Sequence, residues 1–223
     1  RISKKGVSVF GKSLFKIANE HERHDGESKV EYKPHITTSQ FNSIGTTSVI
    51  TDWKTGRGVH CLSQGEALWY YILRWDDENI NIQEQFPLDM KKINKIFEQL
   101  GISKIKNLKF IMSTDFFVTK RDGSKIAYSV KNDRKLNRRT LELLTVEKTY
   151  WMTQNIQYEL LFKEDVNQIL SDNIRLIVEF YNPERVVDDV SKAKHLLATK
   201  KVHADLSSRV LDVDYLKELG LIE

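Results

Sequence analysis

The chain has 223 residues, 30% charged and 40% hydrophobic, with 35 Lys and Arg against 31 Asp and Glu. That balance suits one medium domain, or one domain with a small appendage, and excludes a disordered or collagen-like chain. No apolar run approaches the roughly 20 residues that cross a bilayer, no signal-like segment opens the sequence, and the lone cysteine, Cys61, excludes a disulfide scaffold or a cysteine-based zinc site.

Residues 1–45 read as a polar, basic arm with one short helical piece around Val9, Phe10, Leu14 and Ile17. Between Arg1 and Asn19 it carries Arg1, Lys4, Lys5, Lys12 and Lys16 and no acid, a pattern that suits either a phosphate backbone or a solvated face. Ser48 to Thr51 is strand-like, Lys54 to Gly58 is a turn, and Val59 to Leu62 is a second short strand. Ser63 is expected to cap a helix, with Glu66 three residues on completing a capping box. Ala67, Leu68, Tyr71, Ile72 and Trp75 then recur at helical spacing up to Asp76-Asp77. Ile80 to Leu88 predicts a strand closed by Pro87, and Ile93, Ile96, Phe97 and Leu100 a helix stopped by Gly101. Phe110–Thr119 and Lys125–Lys131 predict two strands of a hairpin around Arg121-Asp122-Gly123. Leu141, Leu144, Glu147, Lys148 and Trp151 lie along a helix from about Asn137 to Gln154. Ile156 to Phe162 predicts a buried strand. From Asp165 the pattern is helical, broken at Pro183 and ending at Gly220. The expected class is α/β (α+β): a mixed sheet flanked by helices, with a small helical C-terminal part.

Candidate chemistry lies in the middle of the chain. Hydrolysis of a phosphodiester at neutral pH usually needs a divalent cation, carboxylates to hold it and a basic group near the nucleophile. Glu66 on a helix, Asp115 on the first hairpin strand and Ser129-Val130-Lys131 on the second supply those parts. Strand side chains alternate faces, so residues 129 and 131 share one. A three-residue loop with Gly123 left-handed pairs Lys120 with Ser124, which sets Asp115 opposite Ser129 with Lys131 on the same face. A two-residue loop would send Lys131 to the other side, so the three-residue loop is expected. Lys131 would then orient or deprotonate a water, or stabilise developing charge. The Val130 carbonyl would add a metal ligand.

These residues and their order resemble the PD-(D/E)XK nuclease superfamily, the restriction-endonuclease-like fold, and within it the TnsA family of transposase endonuclease subunits. The matching pieces are Lys54-Thr55-Gly56-Arg57, Leu62-Ser63 with Glu66, Glu84-Gln85-Phe86-Pro87-Leu88 and Met112-Ser113-Thr114-Asp115-Phe116. Val130-Lys131, Thr140-Leu141-Glu142 with Glu147, Tyr150-Trp151 and Asn173-Ile174 follow in order. The likeness covers roughly residues 48 to 180. It implies that Glu66 and Asp115 are metal-binding acids, that Lys131 is the catalytic lysine, and that the Val130 carbonyl faces the metal. Glu147 matches a glutamate near the site on the following helix. It further implies a magnesium- or manganese-dependent DNA endonuclease that cuts the non-transferred strand at transposon ends during cut-and-paste transposition. Its implied partners are a TnsB-type transposase and a TnsC-type AAA+ ATPase. The division implied is an arm over 1–45, a nuclease domain over 46–165 and a winged-helix-like C-terminal domain over 166–223. Where the family carries Glu or Gln two residues before the lysine, this chain has Ser129, a shorter neutral ligand that Glu147 is expected to supplement.

Lys54, Arg57, Arg134, Lys135, Arg138 and Arg139 are the expected DNA contacts, the last four just beyond the proposed site. His21, Glu22, His24 and Asp25 lie in a polar arm and read as loop rather than zinc ligands. Gly56-Arg57-Gly58 lacks the lysine and spacing of a phosphate-binding loop. Trp69, Tyr70, Tyr71 and Trp75 read as core and Cys61 as an inert buried thiol. Cytoplasmic location in a bacterium is expected. The chain opens on Arg1 rather than Met, and an upstream continuation is expected. The rival reading, supported by Ser129, is a catalytically silent adaptor of the same fold that links DNA to TnsB and TnsC.

Overall fold

The computed structural model describes residues 32–40, 46–106 and 111–223. The expected arm helix and the His21, Glu22, His24 and Asp25 group lie outside them, as does Phe110. In chain order the regular elements are β1 (Ser48–Thr51), β2 (Gly58–Cys61), α1 (Gln64–Trp75), β3 (Asn79–Pro87), α2 (Met90–Gln99) and β4 (Ser113–Lys120). They continue with β5 (Lys125–Lys131), α3 (Arg138–Met152), β6 (Gln157–Phe162), α4 (Gln168–Val178), α5 (Asp189–Ala198) and α6 (Val213–Glu218). Single 3-10 turns at Thr38–Gln40, Lys163–Asp165 and Pro183–Arg185 join them.

β3, β4, β5 and β6 form one sheet in that order. The first two pairings are antiparallel, whereas β5 and β6 run parallel. Parallel neighbours need a crossover, which α3 supplies. The sheet is mixed and flanked by helices, the restriction-endonuclease-like arrangement. β1 and β2 form a separate antiparallel ribbon. Asp52 shapes its turn: one side-chain oxygen accepts from the Lys54 and Thr55 N–H groups at 2.8 and 3.0 Å. Gly56 supplies the left-handed backbone there, with φ 76°.

Two cores sandwich the sheet. On one face Phe116, Val118, Ile126, Tyr128 and Val130 pack with Tyr70 and Leu73 of α1 and with Val59 and Cys61 of β2. On the other, Phe117 and Ala127 pack with Ile93, Ile96 and Phe97 of α2 and with Val146, Tyr150 and Trp151 of α3. A third cluster joins α4, α5 and α6 through Ile174, Ile177, Leu197 and Leu216, and Trp53, Tyr71 and Trp75 pack against it. Helix α1 therefore has apolar contacts on both sides. The expected core role of Trp69, Tyr70, Tyr71 and Trp75 holds: Tyr70 is fully buried and the other three pack half-buried against these clusters.

One expectation needs correction. The strand at Ile156 to Phe162 is not buried: as the edge of the sheet, β6 stays half-exposed along its length. The C-terminal part is helical as expected.

Candidate active site

The hairpin has the three-residue loop that the pleat required. Lys120 N–H donates to the Ser124 carbonyl at 2.8 Å, Gly123 N–H donates to the Lys120 carbonyl at 3.0 Å, and Gly123 sits at φ 83°. The ladder pairs Thr119 with Lys125 and runs to Phe116 with Tyr128. One step further the strands part, and the Asp115 carboxylate accepts directly from the Val130 N–H at 2.7 Å. A side chain has taken the place of the next ladder partner, which holds Asp115 against the end of β5.

A twist in the neighbouring strand marks the same spot. Glu84 pairs with Phe116 and Phe86 with Thr114, so Gln85 lies opposite Asp115. Normal pleating would put residues 84 and 86 on one face. Instead Glu84 bonds Arg57 and the His60 N–H on the α1 side, while Phe86 packs on Phe117 and Trp151 on the other. Gln85 makes the switch with a left-handed backbone, φ 49°. Thr114 turns with it, giving its hydroxyl to Glu147 and accepting from the Trp151 indole of α3.

Glu66 arrives from the opposite side on the first turn of α1. The Ser63 hydroxyl caps its N–H as expected. The reciprocal bond differs from a standard capping box: the carboxylate takes the Leu62 N–H at 2.8 Å and the Ser63 hydroxyl at 2.8 Å. Gln85 Nε2 donates a third bond at 3.1 Å. Close approach depends on Gly65, where a Cβ would lie 3.1 Å from Lys163 Cβ and 3.2 Å from Val130 Cγ1. Burial first, and the Asp115 charge second, push the Glu66 carboxyl up to about 8.

Lys131 Nζ donates to the Val130 carbonyl at 2.8 Å and lies 3.6 Å from Asp115 Oδ2. Burial pulls its ammonium down, but Asp115, Glu147 and Glu66 outweigh this and hold it above its ordinary value. Ser129 and Glu147 are turned onto each other: the buried Ser129 hydroxyl donates to Glu147 Oε1 at 2.8 Å, beside the Thr114 bond at 2.6 Å. Burial, then the Asp115 charge, push the Glu147 carboxyl up to about 7. Cys61 is buried nearby, and burial followed by Glu66, Glu84 and Asp115 keeps its thiol well above the usual range, so it is no nucleophile.

The structure thus brings Glu66, Asp115, Val130 and Lys131 together, with Ser129 and Glu147 behind them. Among the described residues no three His, Cys, Asp or Glu side chains converge on one cation site. The donor set is two carboxylates and the Val130 carbonyl. That set fits a hard ion such as magnesium, which takes oxygen ligands and keeps several of its waters.

The expected DNA contacts divide. The Arg57 guanidinium forks onto the fully buried Glu84 at 2.7 Å for both oxygens. Lys54 pairs with Asp77 at 2.8 Å. Arg134 pairs with Glu164 and Asp165 on exposed surface, and Arg138 and Arg139 both pair with the half-buried Glu142. Lys135 is exposed. Gln85 is the site residue that the sequence reading passed over. It stood within a matching motif, but nothing in the residue type signals a left-handed backbone.

The transposition protein TnsA of transposon Tn7 from Escherichia coli is 30% identical to this chain over 207 residues, 89% of the chain and 76% of that protein. The chain belongs to the TnsA family. The family profile described as TnsA-like endonuclease N terminal matches residues 76–162, a span that holds Asp115, Val130, Lys131 and Glu147. Like other members of the TnsA family, the chain is an endonuclease subunit of a transposase, a class that generally uses divalent metal ions.

Proposed function

We propose that this TnsA-family chain hydrolyses the non-transferred strand at transposon ends, with magnesium or manganese held by Glu66, Asp115 and the Val130 carbonyl. The supporting observation is the meeting of those three oxygen donors with Lys131 at the point where β4 and β5 part. A divalent ion bound there supplies positive charge that lowers the pKa of water and stabilises an in-line displacement. Asp115 is fixed by the Val130 N–H, and Glu66 by Leu62, Ser63 and Gln85, so both carboxylates are oriented before substrate arrives. Lys131 keeps its proton, which suits it to steady the charge that grows on the scissile phosphate and to orient the attacking water through its ammonium. Ser129 and Glu147, expected as further ligands, act as a buried brace behind β5.

Lys135, Arg134, Arg138 and Arg139 lie close in sequence beyond Lys131 and form the proposed DNA contact. The three arginines give up carboxylate partners to reach phosphate. Residues 166–223 are proposed as the region that meets the TnsC-type ATPase, with the TnsB-type transposase cutting the other strand.

Ser129 favours one rival, a silent adaptor of the same fold. Manganese titration of the isolated chain, read by electron paramagnetic resonance, separates the two. The nuclease reading expects binding in wild type and its loss in Asp115→Ala, with assembly on end DNA, TnsB and TnsC retained. Absence of binding in wild type would favour the adaptor.

A further inference from the structure

We infer that Gln85 is a positioning residue for the metal-binding pair, and that its left-handed backbone is retained so that one amide can link Glu66 to β4. This inference rests on the metal-centre reading above. Three observations meet at this residue. It lies directly across the ladder from Asp115. Its Nε2 donates to Glu66 Oε2 at 3.1 Å, while its Oε1 accepts from the Ser113 hydroxyl at 3.1 Å. Its backbone stands at φ 49°, in the left-handed region that favours glycine, with asparagine next, and that a glutamine adopts only at a cost.

The chemistry selects an amide. As a ligand of a cation Glu66 is ionised and only accepts, and the Ser113 hydroxyl here donates, so the bridging amide donates at one end and accepts at the other. Asn is one methylene too short to span the same two partners from the same backbone. Glycine would adopt the φ without cost but would remove one of the three donors to Glu66 and the acceptor of the Ser113 hydroxyl, and Gln85 is 2% exposed, so water does not replace it freely. A turn residue chosen for conformation alone would be glycine. The presence of a long amide therefore indicates that the side chain carries the role. The same φ also reverses the pleat, sending Glu84 to Arg57 and Phe86 to Trp151, while the side chain ties Glu66 to Ser113, two residues before Asp115 on β4.

Groups that orient metal ligands typically change metal affinity by about 10- to 100-fold when removed. The test measures manganese affinity, by calorimetry and electron paramagnetic resonance, in the full chain as wild type, Gln85→Gly and Gln85→Asn, beside thermal unfolding without metal. Gln85→Gly relieves the backbone and should melt within a few degrees of wild type, yet bind manganese at least about tenfold more weakly. Gln85→Asn, which keeps an amide and tolerates the same φ, should also bind about tenfold more weakly. In strand cleavage both variants should need correspondingly more divalent ion for half-maximal rate and recover toward the wild-type rate at saturation. Manganese affinity within about twofold of wild type in both variants would overturn the inference and leave Gln85 a turn residue. Wild type that binds no manganese would overturn the metal-centre reading, and this inference with it.

Discussion

Glu66 carries two tasks that sequence patterns usually assign to different residues. It closes the first turn of α1 through Leu62 and Ser63, and it faces Asp115 from within that turn. The capping task accounts for its place on the helix, and the neighbouring Gly65 accounts for its reach. A methyl at Gly65 would meet Val130 and Lys163 at 3.2 and 3.1 Å, so the start of α1 must withdraw by some tenths of an ångström. Gly65→Ala is therefore expected to cut strand cleavage by roughly tenfold or more, because small misplacements of catalytic groups are costly, while the chain still folds. Unchanged cleavage in that variant, measured with the assembled complex, would show that the approach of α1 to β5 does not set the rate.

At the scale of elements, the hairpin was legible and the strand beside it was not. Arg121-Asp122-Gly123 specifies a loop, and period-two alternation then fixes which residues oppose Asp115. Both steps use rules that leave marks in the sequence. The pleat reversal at Gln85 leaves none, since a left-handed glutamine looks like any strand residue. The ion pair of Arg57 was hidden for a related reason: a basic residue in a glycine turn looks solvent-facing, and its buried partner Glu84 lies 27 residues away. The edge position of β6 was hidden too, because an apolar strand sequence does not say how many neighbours it has.

The ribbon is joined to α1 by a buried polar cluster whose strength varies with pH. Asp52 Oδ2 accepts from the Tyr70 hydroxyl at 2.6 Å and lies 2.8 Å from Arg74 Nε. Burial raises the Asp52 carboxyl, but the Tyr70 bond and the Arg74 charge outweigh it and hold it below its ordinary 3.8. A carboxyl held down in the fold stabilises fully above its unfolded value and loses that contribution as pH falls through the lower folded value. Asp52→Asn leaves Arg74 buried without its counter-ion and should cost about 3–5 kcal/mol at pH 7. The part of that gap that depends on the ionised carboxylate should narrow as pH falls below 3.8, through the lower value at which folded Asp52 takes up its proton. Urea unfolding at both pH values checks this, and a pH-independent gap would contradict it.

Over the whole molecule, α1 is the shared part. One face packs on the sheet, and Tyr71 and Trp75 pack on the helices α4 to α6. Buried Asn173 locks that C-terminal unit, donating to the Leu206 and Arg209 carbonyls and accepting from the Leu211 N–H at 2.8 Å. The C-terminal helices thus pack on the element that carries Glu66. The class of fold, the order of its strands along the chain and the meeting of Glu66, Asp115 and Lys131 were readable because each rests on local periodicity or a short motif. The bonds between Ser129 and Glu147 and between Gln85 and Glu66 were not, because they depend on how separate elements pack.

The most direct test of the account is strand-specific cleavage of an end-containing DNA, with magnesium, TnsB and TnsC present. Wild type, Asp115→Ala and Lys131→Ala would be compared. Wild type should cut the non-transferred strand and both variants should lose that cut, while the other strand is still cut. Equal cutting of the non-transferred strand by all three would contradict it and place the chemistry elsewhere.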